Sequence, residues 1–290
     1  MITAINYADK RWAKAQRLNS FTATHYGKAD KVIEYSDSVY DNPRFKSLID
    51  KYHAHDFVNP ESIGNGYWVW KPFIILETMN QMNDGDYLIY SDSGACYIDK
   101  IQHLIDVMEN GGHSVMCFSL NKLHNERLFT KRDALILMDC DESRDLLDSP
   151  QCIGSYILLK KDASSYSMIQ TFLEYCFDKR IVSDEKNALG KENYEQFRKH
   201  RHDQSIWSLL CKREGLPIFI DPSQYGKYHF LYPKQVVKRS SYPQIFYHHR
   251  LRRMDSLQKL SQHKKKIKRK RIIRVIKNYI DVLLLSLKAL

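Results

Sequence analysis

The chain has no cysteine pair in a C-x-x-C arrangement, and its six cysteines, at 96, 117, 140, 152, 176 and 211, are scattered along 290 residues. That spacing fits reduced thiols and argues against both a disulfide framework and a zinc site, so a cytoplasmic compartment is expected. The stretch Met1 to Asp9 has neither a basic start nor a long apolar core, and no secretory signal is expected from it. No run reaches the ~20 apolar residues of a membrane-spanning helix. Acidic residues are nearly missing from one region only: residues 250–290 hold 14 Lys or Arg and 2 acidic residues, net +12, while residues 1–249 hold 31 and 32, net −1. The neutral body shows no basic stripe, no aromatic-basic interleaving and no DNA- or RNA-binding motif, so nucleic acid is not expected as a partner. There is no internal repeat.

What is present is 43% apolar residues, enough for a substantial core. Ile2 to Asn6 and Lys31 to Tyr35 read as strands, with helices near Ala8 to Ala23 and Pro43 to Tyr52. Phe57 to Tyr67, with Gly64 and Gly66, reads as a loop. Pro72 suits the first turn of a helix reaching about Gln81. Tyr87 to Tyr90 is a strand launched by Gly85 and Asp86, followed by a helix near Lys100 to Glu109 and a strand from His113 to Phe118. Strands alternating with helices imply an α/β fold with a mainly parallel sheet flanked by helices. Farther on, Tyr156 to Leu159 and Pro217 to Ile220 read as strands, Ser165 to Phe177 and Gln204 to Lys212 as helices, and Asp184 to Glu195 as a polar excursion. The sequence divides near residue 250, giving a body of 1–250 and a basic helical tail of 251–290.

Four clusters carry chemistry. Ser91-Asp92-Ser93-Gly94 ends an apolar strand, and ligands in open parallel sheets gather at carboxyl ends of strands. Asp92 then meets a substrate or metal, unless it simply caps a following helix. Gly66-Tyr67-Trp68-Val69-Trp70-Lys71-Pro72 offers rings to stack on a base or sugar and an ammonium for a phosphate; the plainer alternative is core indoles and a solvated lysine. Thr130-Lys131-Arg132-Asp133 is either a capped helix start or a cationic pair for a diphosphate. His200-Arg201-His202-Asp203-Gln204-Ser205 opens a half-apolar helix, and His202 or Asp203 could ligate a metal while Asp203 could act as a base or orient a hydroxyl.

Taken in order and spacing over roughly residues 1–250, GYWVWKP, GDYLIYSDSG, TKRD and HRHDQS resemble bacterial GT-A type glycosyltransferases that build lipopolysaccharide, O-antigen and capsular polysaccharide. The resemblance implies a GT-A-like, Rossmann-like layer and a hexosyltransferase using a nucleotide sugar, UDP-linked, at the inner face of the cell membrane, with a glycan or lipid-linked glycan as acceptor. It implies Asp92 and Asp203 as catalytic carboxylates, and donor or substrate contacts from Tyr67, Trp68, Trp70, Lys71, Ser93, Gly94, Lys131, Arg132, Asp133 and Gln204. A divalent cation, Mn2+ or Mg2+, is implied at Asp92. The family's D-x-D motif is incomplete here, because position 94 is glycine. Either His202, Asp203 or the donor's phosphates complete the metal site, or Lys131 and Arg132 replace the cation.

The tail reads Lys264-Lys265-Lys266-Ile267-Lys268-Arg269-Lys270-Arg271, followed by Ile272, Ile273, Ile276, Ile280, Leu283, Leu284 and Leu287 at helical spacing. This is the pattern of a basic amphipathic helix lying on an anionic membrane surface, with on the order of 1 kcal/mol of attraction per cation. Two other readings remain: an adaptor that binds membrane or nucleic acid through the tail, and a phosphatase with Asp92 as nucleophile, which the glycine at 94 disfavours.

Overall fold

The computed structural model describes residues 1–121, 123–224 and 240–269. Its strands are β1 (Ile2–Tyr7), β2 (Lys31–Tyr35), β3 (Tyr87–Ser91), β4 (Ala95–Tyr97), β5 (Val115–Ser119), β6 (Tyr156–Lys160), β7 (Ile218–Ile220) and β8 (Phe246–His248). Six of them form one sheet in the order β2-β1-β3-β6-β5-β7. β1 pairs parallel with β2 and β3, and β5 pairs parallel with β7. β6 alone is antiparallel, to both β3 and β5. A mainly parallel sheet is therefore observed, with an inverted strand that the alternating pattern did not predict. The reason lies in residues 120–155. They hold three short helices, Glu126–Phe129, Arg132–Leu137 and Arg144–Asp148, rather than one long crossover helix. The chain thus stays at the carboxyl edge of the sheet and must enter β6 running the other way.

Successive strand residues point to opposite faces, and both faces are covered. Tyr90 of β3 with Ile157 and Leu159 of β6 packs against the helices Trp70–Met79, Ala163–Cys176 and His202–Arg213. Ile89, Leu158 and Tyr156 face the other way, toward the helix Gln102–Asn110 and Phe246. Strand runs of four buried residues follow from that double cover.

Two local expectations are revised. Residues after Asp92 do not start a helix; they turn into β4, which pairs antiparallel with β8, Ala95 opposite His248. Residues 64–68 are not an irregular loop but five consecutive left-handed residues, with φ of 62, 53, 82, 51 and 61°. Residues just after 250 pack on the body. Met254 and Leu260 are buried with Leu18, Cys96 and Tyr247, and a helix covers residues 257–269. The apolar positions predicted from Ile272 onward lie outside the described residues. Among the described residues no helix is long and apolar enough to cross a membrane.

Candidate functional site

Two adjoining cavities open where β1 and β3 end. The first, of about 640 Å³, is walled by Trp68, Lys71, Asp92, Asp203, Gln204 and Arg250 among others. The second, of about 520 Å³, is walled by Tyr7, Trp12, Trp70, Ser93, Gly94 and Arg252. Trp68, Asp92, His248 and Arg250 belong to both walls.

Between the cavities sits a buried ion triad. Lys71 lies in the first turn of its helix and is 4% exposed, with Nζ 2.5 Å from Asp203 Oδ2 and 3.9 Å from Asp92 Oδ1. It also donates to the Gly154 carbonyl at 3.0 Å. Burial opposes the ammonium, but Asp203 and Asp92 outweigh it and the Lys71 pKa is raised. The Asp92 carboxyl is likewise pushed up by burial and pulled further down by Lys71, a Ser155 hydrogen bond and the His248 ring, ending below its ordinary value. Tyr90 donates to Asp92 Oδ1 at 2.8 Å. Asp92 keeps 35% of its side chain exposed, whereas Asp203 keeps 7%. Asp203 is the second residue of the helix His202–Arg213 rather than its cap, since Arg201 precedes that helix without a side-chain capping bond.

The glycine at 94 has a structural cause. Its carbonyl accepts the amides of His249 and Arg250 at 3.0 and 2.9 Å. A Cβ there would meet the Trp12 ring at 3.3 Å and Arg250 Cα at 3.4 Å. The place of the expected second carboxylate is thus filled by the segment that brings His248 and Arg250 to Asp92. Ser93 is buried and donates to the Tyr7 carbonyl at 2.6 Å, tying β3 to β1.

The left-handed turn delivers Trp68. Three of its five residues are not glycine, at a cost of about 1–2 kcal/mol each. Hydrogen bonds hold it: Tyr40 donates to the Asn65 carbonyl, Asn65 Nδ2 donates to Tyr7 Oη and Asp37 Oδ1, and Trp70 Nε1 donates to the Gly64 carbonyl. Trp70 is also stacked on Tyr7, centroids 3.7 Å apart, and so walls the second cavity as a packed ring. Tyr67 is absent from both cavity walls and lies beside the His202 ring at 5.1 Å.

The Thr130 to Asp133 cluster is elsewhere. Thr130 donates to Glu126 and caps nothing. Lys131 is buried, donating to the Ser183 and Glu185 carbonyls. Arg132 pairs with Asp141 and lies over the Tyr194 ring, and Asp133 accepts the Ala188 and Leu189 amides. These residues pin the 183–195 excursion to the body, and the structure does not bring Lys131, Arg132 or Asp133 to either cavity. Gln204 does reach the first cavity, while its amide bridges Gln151 and the Gly154 amide.

As a cation site, Asp92 offers a carboxylate at a shared open wall, but its Oδ1 already takes the Tyr90 hydroxyl and His248 Nε2 takes Arg250 Nε at 3.2 Å, so a Mg2+ or Mn2+ at Asp92 would draw its other ligands from phosphate oxygens and water. His202 does not fit that role: Nδ1 lies 2.9 Å from the Val182 carbonyl, Nε2 3.6 Å from Asp184, and Trp68 stacks on the ring. Among the described residues, three candidate ligand atoms fall within 4.8 Å of one another only at Cys117, Cys152 and Cys211. These buried thiols are soft donors, remote from the cavity walls, and their spacing in sequence gave no sign that they would meet.

Sequence reasoning missed Tyr7, Asp9, Trp12, Arg201 as a wall residue, and the pair His248 and Arg250. A signal existed for Asp9, a carboxylate just past an apolar strand like Asp92. None marked His248, the last residue of a three-residue strand, or Arg250 just beyond it.

No family model matches the chain, and no curated protein matches it. Among solved structures the chain is similar to mouse xyloside xylosyltransferase 1 in its apo form, at 13% identity over 86% of this chain and 97% of that one, with a TM-score of 0.47. At that level the chemistry of this chain has to come from its own residues.

Proposed function

We propose that this protein is a glycosyltransferase that moves a sugar from a nucleotide-sugar donor, UDP-linked, to a glycan acceptor. One observation carries the reading: Asp92 and Asp203, far apart in the sequence, share a single buried ammonium where an aromatic-walled cavity at strand ends meets a second, more polar one. The donor nucleotide is assigned to the cavity with Tyr7, Trp12 and Trp70, where rings are available to a base and the ends of β1 and β3 face the diphosphate. The acceptor is assigned to the cavity with Asp203 and Gln204.

Glycosyl transfer leaves negative charge on the departing diphosphate and positive charge on the sugar. Arg250 lines both cavities and is placed to meet the first charge; Asp203, whose carboxyl burial pushes above its ordinary value while Lys71 opposes that shift, meets the second. Mn2+ or Mg2+, held by Asp92 and the donor's own phosphate oxygens, would add neutralisation of the diphosphate. Lys71 fixes the two carboxylates relative to each other, so the geometry does not wait for substrate. The basic helix over 257–269 is compatible with an anionic membrane face and a lipid-linked, cell-surface glycan as acceptor.

The test is nucleotide release from a panel of nucleotide sugars, with manganese, magnesium or chelator. A UDP-sugar is expected to turn over, and Asp92→Asn and Asp203→Asn to lower kcat by on the order of 100-fold or more with folding intact. Undiminished turnover in both variants defeats the assignment of the site.

A further inference from the structure

Among the described residues, Arg201 and Arg250 are two cations on the wall of the first cavity without a carboxylate in ion-pair range, Glu126 acting on Arg201 through its charge alone. Arg201 lies over the Phe129 ring at 3.8 Å and donates a long bond, 3.4 Å, to Gln151 Oε1. Arg250 donates to His248 Nε2 at 3.2 Å. Among the described residues neither guanidinium has a carboxylate oxygen within 4.0 Å. Carboxylates are not lacking nearby, but each is engaged. Lys71 holds Asp92 and Asp203, Asp184 faces His202, and Asp221 accepts the amide and hydroxyl of Ser223.

The cations also act on one another. Burial and the charge of Arg250 pull the Arg201 pKa down to about 10. Burial, then Arg201, Arg198 and Arg250, push His124 on the same wall down to about 4, which leaves a neutral ring beside the guanidiniums. Mutually repelling cations around a cavity are costly when it is empty and favourable when an anion sits between them. The guanidinium fork matches a planar or tetrahedral oxyanion, and its weak hydration suits a half-buried site.

We propose that Arg201, assisted by Arg250, binds an oxyanion carried by the acceptor, so that the acceptor is an acidic glycan bearing a carboxylate or a phosphate. This rests on the assignment of the first cavity to the acceptor. Arg250 borders both cavities and serves either substrate, but Arg201 borders the first alone, beside Gln204 and on the side of His124 and Asn121. A neutral acceptor would leave its guanidinium only the Phe129 ring, the long Gln151 bond and the charge of Glu126 against its desolvation.

The experiment measures binding by calorimetry and thermal shift with four probes: methyl β-glucuronide, methyl β-glucoside, inorganic phosphate and UDP. Wild type is compared with Arg201→Gln and Arg201→Lys, whose unliganded melting points report folding. The glucuronide or phosphate is expected to bind and the glucoside not, with Arg201→Gln weakening the anion about tenfold or more, Arg201→Lys less, and UDP changing by under about twofold. Response to the glucuronide alone identifies a carboxylate, and to phosphate alone a phosphate. Failure of both anions to bind wild type, or equal binding to Arg201→Gln, overturns the proposal. So does a parallel loss of UDP affinity in Arg201→Gln, which moves the guanidinium to the donor. If UDP does not bind wild type while the anion does, the nucleotide-sugar reading fails and the Arg201 oxyanion site stands.

Discussion

Replacing Lys71 by methionine keeps the length of the side chain and deletes its charge. In the wild type the ammonium is 4% exposed and the Asp203 carboxylate 7%, separated by 2.5 Å. At an effective dielectric of about 20 the gross attraction at that distance is ~7 kcal/mol, most of it cancelled by desolvating the two ions. The net value of the pair is therefore small, but the cost of breaking it is not. Lys71→Met leaves Asp203 buried without a cation and the Gly154 carbonyl without its donor, and breaking such a pair costs about 3–5 kcal/mol. Set against a typical stability of about 5–15 kcal/mol, the single variant should unfold at visibly lower urea. The double variant Lys71→Met/Asp203→Leu removes both charges and should recover to within about 1–2 kcal/mol of wild type, yet remain inactive. Urea titrations followed by tryptophan fluorescence read both, with the slope checked for constancy. A loss under about 1 kcal/mol in the single variant, or no recovery in the double, refutes an ionised Lys71–Asp203 pair.

Gly66 has φ 82°, and a Cβ there would lie 2.5 Å from the Tyr40 hydroxyl. Gly66→Ala should cost clearly more by thermal melting than Gly190→Ala, where nothing lies near and only the positive φ, at about 1–2 kcal/mol, opposes the change. His200 is buried and its Nδ1 accepts the Lys131 amide, so burial first, then His202 and Lys131, hold its pKa well below the ordinary value. The unfolded chain then takes up a proton that the folded chain refuses, so stability should fall as pH drops below about 6.5, the ordinary histidine value. His200→Gln should flatten that part of the stability profile, and an unchanged slope counts against a neutral native His200. A chain ending at 269 keeps Met254 and Leu260 in place and should retain donor hydrolysis while binding anionic vesicles more weakly, measured by sedimentation; loss of donor hydrolysis counts against a transferase site in the body.

Much of the sheet was legible, because Lys31–Tyr35 and Tyr156–Lys160 carry β-formers in uncharged or alternating runs bounded by turn residues. Asp92 and Asp203 were legible as carboxylates at element ends. Their shared lysine was not, since a Lys before a proline at a helix start reads as solvated until the tertiary fold encloses it. Thr130 to Asp133 shows the converse. Basic residues beside a helix start look alike whether they face a phosphate or the carbonyls of the 183–195 excursion. The left-handed turn escaped because a sequence with two glycines announces freedom of backbone, not five residues taking one rare conformation in a row.

The pairing of β4 with β8 sets Ala95 against His248. A ribosome therefore releases everything on one side of the cavities long before it makes the strand that closes them. Until residues near 250 emerge, Asp92 and Lys71 lack the His248 and Arg250 that share their cavity walls, and the core lacks Phe246, which packs on Tyr97 and Tyr156. Substrate binding thus reports on completion of the chain, and a fragment ending at 245 is the natural dead control for every assay above.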